Sequence, residues 1–547
     1  MADLLAIFGF LSVLLRALTL CLQSLTVGGI VFSIVVTRSP ELRTDRVLRA
    51  IGRFIRWSAL GLAAIQAAYL AANVAILMQS ADISLAEASG ANFVLAGVIA
   101  IISALAIAII AGSVWWRKKR NALLLPAALI LAAGVMTSHS ASRMEYRLSL
   151  VAVTALHHAA TATWIGGLPY LLFASRRTSD PAMKRKLSAN FSQLAVVSVI
   201  VLAAAGLTMS FAYVGSLSAL YGTAYGVMVS TKAILFGCVL ILGALNFRIV
   251  RKLRENDGSE SAGLLRFGEA ELGIGLAVIL AAASLTSQPP AADLQEGRVT
   301  PSEITQRYAP RLPRLTSPTL KDLPEPPLQA IKRATAAGTP LPDSYVPGQA
   351  VLHVSTPAEI AWSEYNHHWA GVIVLTAGVL AFLARSGAGW ARNWPLAFMG
   401  LAVFLFLRSD PDNWPLGPNG FWETFMAPDV LQHRVFVVLV AAFAIFEWRV
   451  VTGRLHSQIA ALVFPLVCAL GGAFLLTHSH SLANSKEELL AELSHVPLAI
   501  FGIVAGWSRW LEIRLPAPED RTRRILSWIW PICFVLIGLA LLDYREA

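Results

Sequence analysis

"RSPELRTDRVLRAIGRFIR", residues 38–56, follows a long apolar run, and after the next such run comes "QSADISLAEASGAN", residues 79–92. The first stretch holds Arg38, Arg43, Arg46, Arg49, Arg53 and Arg56; the second is acidic and has no basic residue. A chain that threads a bilayer keeps the Lys and Arg of its short loops on the cytoplasmic side. The contrast repeats: "WRKKRN", "SRRTSDPAMKRK", "RIVRKLRENDGS", "ARSGAGWARN", "EWRVVTGR" and "RLPAPEDRTRR" all fall on the side of the first loop when fourteen spans are threaded in order. The expectation is a cytoplasmic basic side with both termini outside.

Composition supports that reading. Of 547 residues, 56% are hydrophobic and 14% charged, too apolar for water-soluble domains of ordinary composition. About 20 apolar residues cross the hydrocarbon, and the runs near 6–36, 52–78, 93–116, 122–138, 149–174, 191–214, 226–249, 268–287, 367–384, 394–408, 430–448, 457–477, 495–513 and 525–543 qualify, with 394–408 the shortest. The fold expected is an all-α polytopic membrane protein. "MADLLAIFGF" lacks a basic n-region and its apolar run exceeds signal-peptide length, so it reads as a retained helix. The net charge of +11 sits mostly in the basic loops and sets topology; no nucleic-acid motif accompanies it, and no nucleic-acid partner is expected. Cys21, Cys238, Cys468 and Cys533 are scattered through apolar runs, giving neither a disulfide framework nor a CxxC clip.

The chain divides into residues 1–287 with eight spans, a proline-rich polar segment 288–365 that reads as an outer, partly extended linker, and residues 366–547 with six spans. The histidines gather at one depth of this threading. His139 ends the fourth span, His157 and His158 lie two turns into the fifth, His367 and His368 open the ninth, His433 opens the eleventh, His478 and His480 close the twelfth, and His495 opens the thirteenth. Met136 and several other methionines lie at the same outer ends. Imidazole with thioether suits copper; imidazole alone also suits zinc, iron or haem iron. Interfacial histidines also serve as helix caps, the plainer reading of any single one. On a continuous helix His157 and His158 diverge by about 100°, so at most one faces a site shared with His139.

Other residues invite a reading. Arg16, Gln23, Gln66, Asn73 and Lys232 are polar groups within spans, where buried charge is costly; Arg16 and Lys232 are expected to snorkel to the headgroups. Gly28–Gly29 and Gly166–Gly167 permit close helix approach. Trp164 is expected to pack a neighbour, and Trp394, Trp414, Trp422, Trp507, Trp510, Trp528 and Trp530 read as interfacial belts. No Walker sequence is present, which disfavours an ATP-driven pump.

"TSHSASRMEYRLSLVAVTALHHAATATWIGGLPYLL", "LYGTAYGVMVSTKAILFGCVLILGALNFRIV" and "LLRFGEAELGIGLAVILAAASLTSQPP" together resemble the CopD copper-resistance and copper-transport family over about 139–290. The motif positions are His139, His157, Trp164, Gly166, Gly167, Leu168, Thr223, Tyr225, Gly226, Lys232 and Asn246; Ser138 stands where the family commonly has Gly. Residues 366–547 resemble the extension of longer members. The resemblance implies a bacterial inner-membrane protein that moves copper in partnership with a periplasmic CopC-like carrier, and no enzyme. The ligands expected are His139, His157, His158 and Met136 in one cluster, and His367, His368, His433, His478, His480 and His495 in a second. A different class stays open: a b-type haem protein acting as an oxidoreductase or electron carrier, with His139 and His157, or His478 and His495, as axial pairs. A purely structural membrane scaffold would hold neither copper nor haem.

Overall fold

Apolar runs of this length leave the backbone no water to bond, so the peptide groups must bond within the segment, and each run becomes a helix. The computed structural model describes residues 2–39, 42, 45–255, 262–294, 297–319, 356–410, 413–417, 419–424, 428–477, 486–516 and 520–546. Among them there is no strand. Eleven helices are long and apolar enough to cross a membrane, and 120–136 and 460–475 are shorter apolar helices. With the helix Pro428–Val451, a helix stands on each of the fourteen apolar runs, and the chain is an all-α polytopic membrane protein.

Backbone contacts separate a first unit built on Met1–Arg298 from a second built on Val299–Leu475 and Ala483–Ala547. The first contains α1 (Ala2–Val31), α2 (Asp45–Ala81), α3 (Asn92–Gly112), α4 (Leu124–Met136), α5 (Arg147–Trp164), α6 (Leu168–Arg177), α7 (Pro181–Tyr213), α8 (Ala224–Glu255) and α9 (Ala262–Thr286). Helix α1 is its axis and touches α2, α4, α5, α6 and α9. The fifth span is not one helix but two, α5 and α6, broken at Ile165–Gly167.

The break is where the glycines act. A Cβ on Gly166 would lie 1.8 Å from the Ser24 carbonyl oxygen, and one on Gly28 would lie 2.2 Å from the Ala162 oxygen. Glycine is thus required for α1 to touch the broken span, backbone against backbone, as small-residue packing in lipid demands. Tyr170 fills the space above Gly29, and its hydroxyl lies 3.4 Å from that of Ser58 on α2.

The second unit holds α10 (Pro357–Arg385), α11 (Ala397–Arg408), α12 (Pro428–Val451), α13 (Val463–Leu475), α14 (Lys486–Arg514) and α15 (Asp520–Leu542). Helix α15 packs along α10 and α14, and α13 along α14. Two tryptophans depart from the belt expected of them: Trp394 and Trp530, each 3% exposed, join Phe464 and Phe534 in an aromatic core. Proximity to a span end does not distinguish a belt tryptophan from one turned inward. Trp530 gives its indole N–H to Glu512, a buried carboxylate also paired with Arg385 and Arg509. Trp422, by contrast, is exposed.

Of the polar segment 288–365, residues 320–355 lie outside the described residues. The preceding stretch begins a helix at Pro301 with a Thr300–Glu303 capping box. It is held down by Arg307 on Ser494 and by the Tyr308 hydroxyl on the Leu493 carbonyl. The Lys486 ammonium lies 2.9 Å from the Glu303 carboxylate. The Thr300 backbone N–H, the Lys486 hydrogen bond and the Thr300 hydroxyl together pull that carboxyl down to about 2.

Candidate metal site

The first unit brings His139, His157 and His158 close to α1 and α7–α9, though not onto one point. His139 opens the short turn His139–Ser142 after α4. Its ring lies 6.2 Å from that of Tyr213 and 6.1 Å from that of Tyr225, both edge-on. Next to it Arg143 pairs with Asp293 at 2.8 Å. His158 faces α1 and α4: a Cβ on Gly134 would lie 3.6 Å from its Nδ1 and 3.2 Å from the Gln23 amide. His157 faces α7, where Gly206 leaves room beside its ring. The two neighbours diverge as helical geometry requires, and only His158 shares a side with Gln23.

One feature unites the three. His139 Nε2, His157 Nδ1 and His158 Nδ1 are all buried and without a hydrogen-bond partner. Such an atom costs about 1–3 kcal/mol unless something else bonds it. A neutral imidazole nitrogen with an open lone pair is a metal ligand in waiting. Burial above all holds His139 below the ordinary imidazole value of 6.5, with the Arg143 and Arg16 charges acting in the same direction; a backbone hydrogen bond at Leu285 and the Asp293 carboxylate oppose this. It is therefore neutral at pH 7, the form that binds a metal. Met136 lines the same cavity as His139. Among the described residues, no three His, Cys, Asp or Glu side chains gather closely enough to hold an ion, so the imidazoles stand as separate positions.

The second unit treats its histidines differently. His368 Nδ1 accepts the Arg314 backbone N–H at 2.7 Å, and its Nε2 donates to the Tyr544 carbonyl at 2.9 Å, which occupies both ring nitrogens. His367 bonds the Ser363 carbonyl through Nδ1 and stacks on Tyr544 at 3.7 Å. Its ring approaches that of His495 to 6.0 Å. His433 is fixed by Asp410, itself buried, at 2.8 Å. His478 and His480 lie outside the described residues, which leaves His495 as the described member of the second suggested haem pair.

Sequence reasoning passed over a carboxylate. Glu271 on α9, 4% exposed, accepts the Trp164 indole N–H and the Asn246 amide N–H, each at 2.7 Å. It fastens the histidine-bearing fifth span to α8 and α9. The alternation of Glu269 and Glu271 in an otherwise apolar run was the available signal. Glu269 pairs with Arg176 and Arg266, whereas Glu271 has no cationic partner among the described residues. Trp164 thus packs, as expected, but as a hydrogen-bond donor. Arg16 departs from the snorkelling expected of it. It is 9% exposed, turned inward to Thr137 at 3.4 Å and over the Tyr69 ring. Lys232 is half-buried near enough to His157 and His158 for its charge to act on both.

Residues 185–285, which include Tyr213, Tyr225, Lys232, Asn246 and Glu271, match the family model for Copper resistance protein D, CopD. The chain is 33% identical over 163 residues to the Copper transport protein CutJ of Bacillus subtilis (strain 168), an overlap of 29% of each protein, so it spans under a third of that relative's length. No solved structure matches the chain. Helices α7 to α9 carry the match and hold the carboxylate to which Trp164 is tied, and the chain is a multi-pass membrane protein that is similar to CopD over this region.

Proposed function

We propose that the first unit binds copper and passes it across the bacterial inner membrane, taking it up on the periplasmic side. The observation that carries this reading is the set of three buried imidazole nitrogens without partners, on His139, His157 and His158. His139 and Met136 offer a nitrogen and a sulfur donor on one cavity, and His158 and His157 offer nitrogens on either face of α5. Imidazole with thioether is a donor set that copper accepts in either oxidation state. The family match and the name of the curated relative support copper as the cargo. A CopC-like periplasmic carrier would deliver it, and both termini would lie on that face.

In the second unit the pair His367 and His495 forms a further station, on the strength of the approach of their rings. His368 and His433 are left out of it, because hydrogen bonds to Tyr544 and Asp410 give them positional work. The test is elemental analysis and absorption spectroscopy of the detergent-purified full chain after growth in copper. The expected result is bound copper and no Soret band. A Soret band with stoichiometric iron would replace this reading with the haem protein, and neither metal would refute both.

A further inference from the structure

A cleft of about 780 Å³ opens within the first unit between α1, α2, α3, α4 and the turn at His139. A small-molecule site has this size. Its lining is polar in a particular way. Arg16 and Arg147 contribute guanidinium groups; Gln23, Gln66, Asn73 and Asn92 contribute carboxamides; no Asp or Glu takes part. Arg16, Gln23 and Gln66 are each more than nine-tenths buried. The two glutamine amides have no hydrogen-bond partner among the described residues, and no described carboxylate pairs with Arg16. The two amides on the cleft are left with donors and acceptors to offer a ligand, and the Arg16 guanidinium, with only the Thr137 hydroxyl and the Tyr69 ring beside it, keeps an unneutralised charge there.

The sign of the charge decides the ligand. Arg16 is near enough to His139 and His158 for its charge to act on both imidazoles. A bare cuprous or cupric ion entering here would meet two fixed positive charges and no compensating carboxylate. An anion would meet a guanidinium fork and several N–H donors. The buried donors, on Arg16, Gln23 and Gln66, stand on the sides of α1 and α2, where backbone N–H groups are spent within the helix, so side chains rather than a backbone nest supply the hydrogen bonds there. Guanidinium and carboxamide groups together suit a carboxylate, which accepts a bidentate pair from arginine.

We propose that this cavity binds a small carboxylate-bearing anion, and that copper reaches His139 as a carboxylate chelate rather than as a free ion. The second half rests on the copper reading above; the first does not. Copper bound through the ligand's carboxylates brings its own negative charge past Arg147 and Arg16, and the His139 and Met136 donors then compete for the metal.

The experiment uses the full chain in phosphatidylcholine nanodiscs, with radiolabelled citrate as the probe and copper content measured on the same samples. Saturable binding of one citrate per chain is expected, at least about tenfold weaker in Arg16→Gln, as loss of a charge-assisted hydrogen-bonding group implies. Arg147, exposed at the mouth, can be replaced without disturbing the core, and Arg147→Gln weakens citrate binding about threefold; this variant carries the test if Arg16→Gln does not fold. Absence of saturable citrate binding, or equal binding by wild type and both variants, overturns the proposal. So does loss of citrate binding on adding phosphatidylglycerol to the nanodisc, which would make the cleft a lipid headgroup site. Copper bound without citrate binding refutes this inference and leaves the copper reading standing. Citrate bound to a chain that takes no copper does the reverse: the anion site stands and the copper reading falls.

Discussion

Each unit carries one His–His pair inside an apolar helix, His157–His158 on α5 and His367–His368 on α10, and the two pairs are surrounded differently. Around the first, both Nδ1 atoms are buried and bond nothing. Around the second, Ser363, Arg314 and Tyr544 supply partners to three ring nitrogens, and an aromatic ring stacks on His367. The contrast shows what burial alone leaves undecided. A satisfied imidazole holds structure together, while an unsatisfied one stores a cost of about 1–3 kcal/mol that only a bound partner relieves. By that criterion the proposed copper binding rests first on the first unit.

The strongest way to break the comparison is to separate the helices that make the first site. Gly166→Leu would drive a side chain into the Ser24 carbonyl 1.8 Å away. It should cost more than the roughly 1–3 kcal/mol of ordinary overpacking, because backbone rather than side chain must yield. The expected outcome is loss of monodisperse protein on size-exclusion chromatography, whereas Gly237→Leu, with nothing within 4 Å, should leave the profile unchanged.

Next in size is Glu271. Glu271→Leu strands the Trp164 and Asn246 N–H groups at about 1–3 kcal/mol each. Glu271→Gln keeps one oxygen acceptor and should lose about half as much. Thermal melting of the solubilised chain should rank wild type above the Gln variant and the Gln variant above the Leu variant. Equal melting of all three would remove the carboxylate from the account of how the fifth span is held.

In the second unit, His368→Ala deletes the bonds to Arg314 and Tyr544 and should cost about 2 kcal/mol. Protease cleavage near residues 311–319 and at the C-terminus should quicken. The smallest effect concerns pH. The folded protein holds His139 below the 6.5 of a free imidazole, so the unfolded chain binds the extra proton more readily. Its contribution to stability is therefore complete above about pH 6.5 and is lost as the pH falls below it. The melting temperature should drop more between pH 7.5 and 5.5 in wild type than in His139→Asn.

Much of this was legible in the residues. Apolar runs of spanning length numbered fourteen, with the alternation of basic and non-basic loops in support, and a helix stands on each. The glycine pairs at 28–29 and 166–167 announced a close crossing because a residue without a Cβ lets backbones approach most closely in lipid. The roughly 100° between His157 and His158 was enough to send them to different faces. What composition could not give was satisfaction. Nothing local distinguishes His158 from His368, because the partners of His368 come from residues 54 and 176 positions away. Arg16 was misread for the same reason: its cavity is assembled from four helices distant in sequence. Trp394 and Trp530 sit at span ends like belt residues, and only tertiary packing turns them inward.

The most direct test of the central claim is copper bound per chain, measured on purified full-length His157→Ala/His158→Ala and His367→Ala/His368→Ala double variants beside wild type. The account predicts that the first variant loses most of its copper at unchanged yield, while the second keeps whatever the first unit holds. Full retention by the first variant, with loss confined to the second, would contradict it.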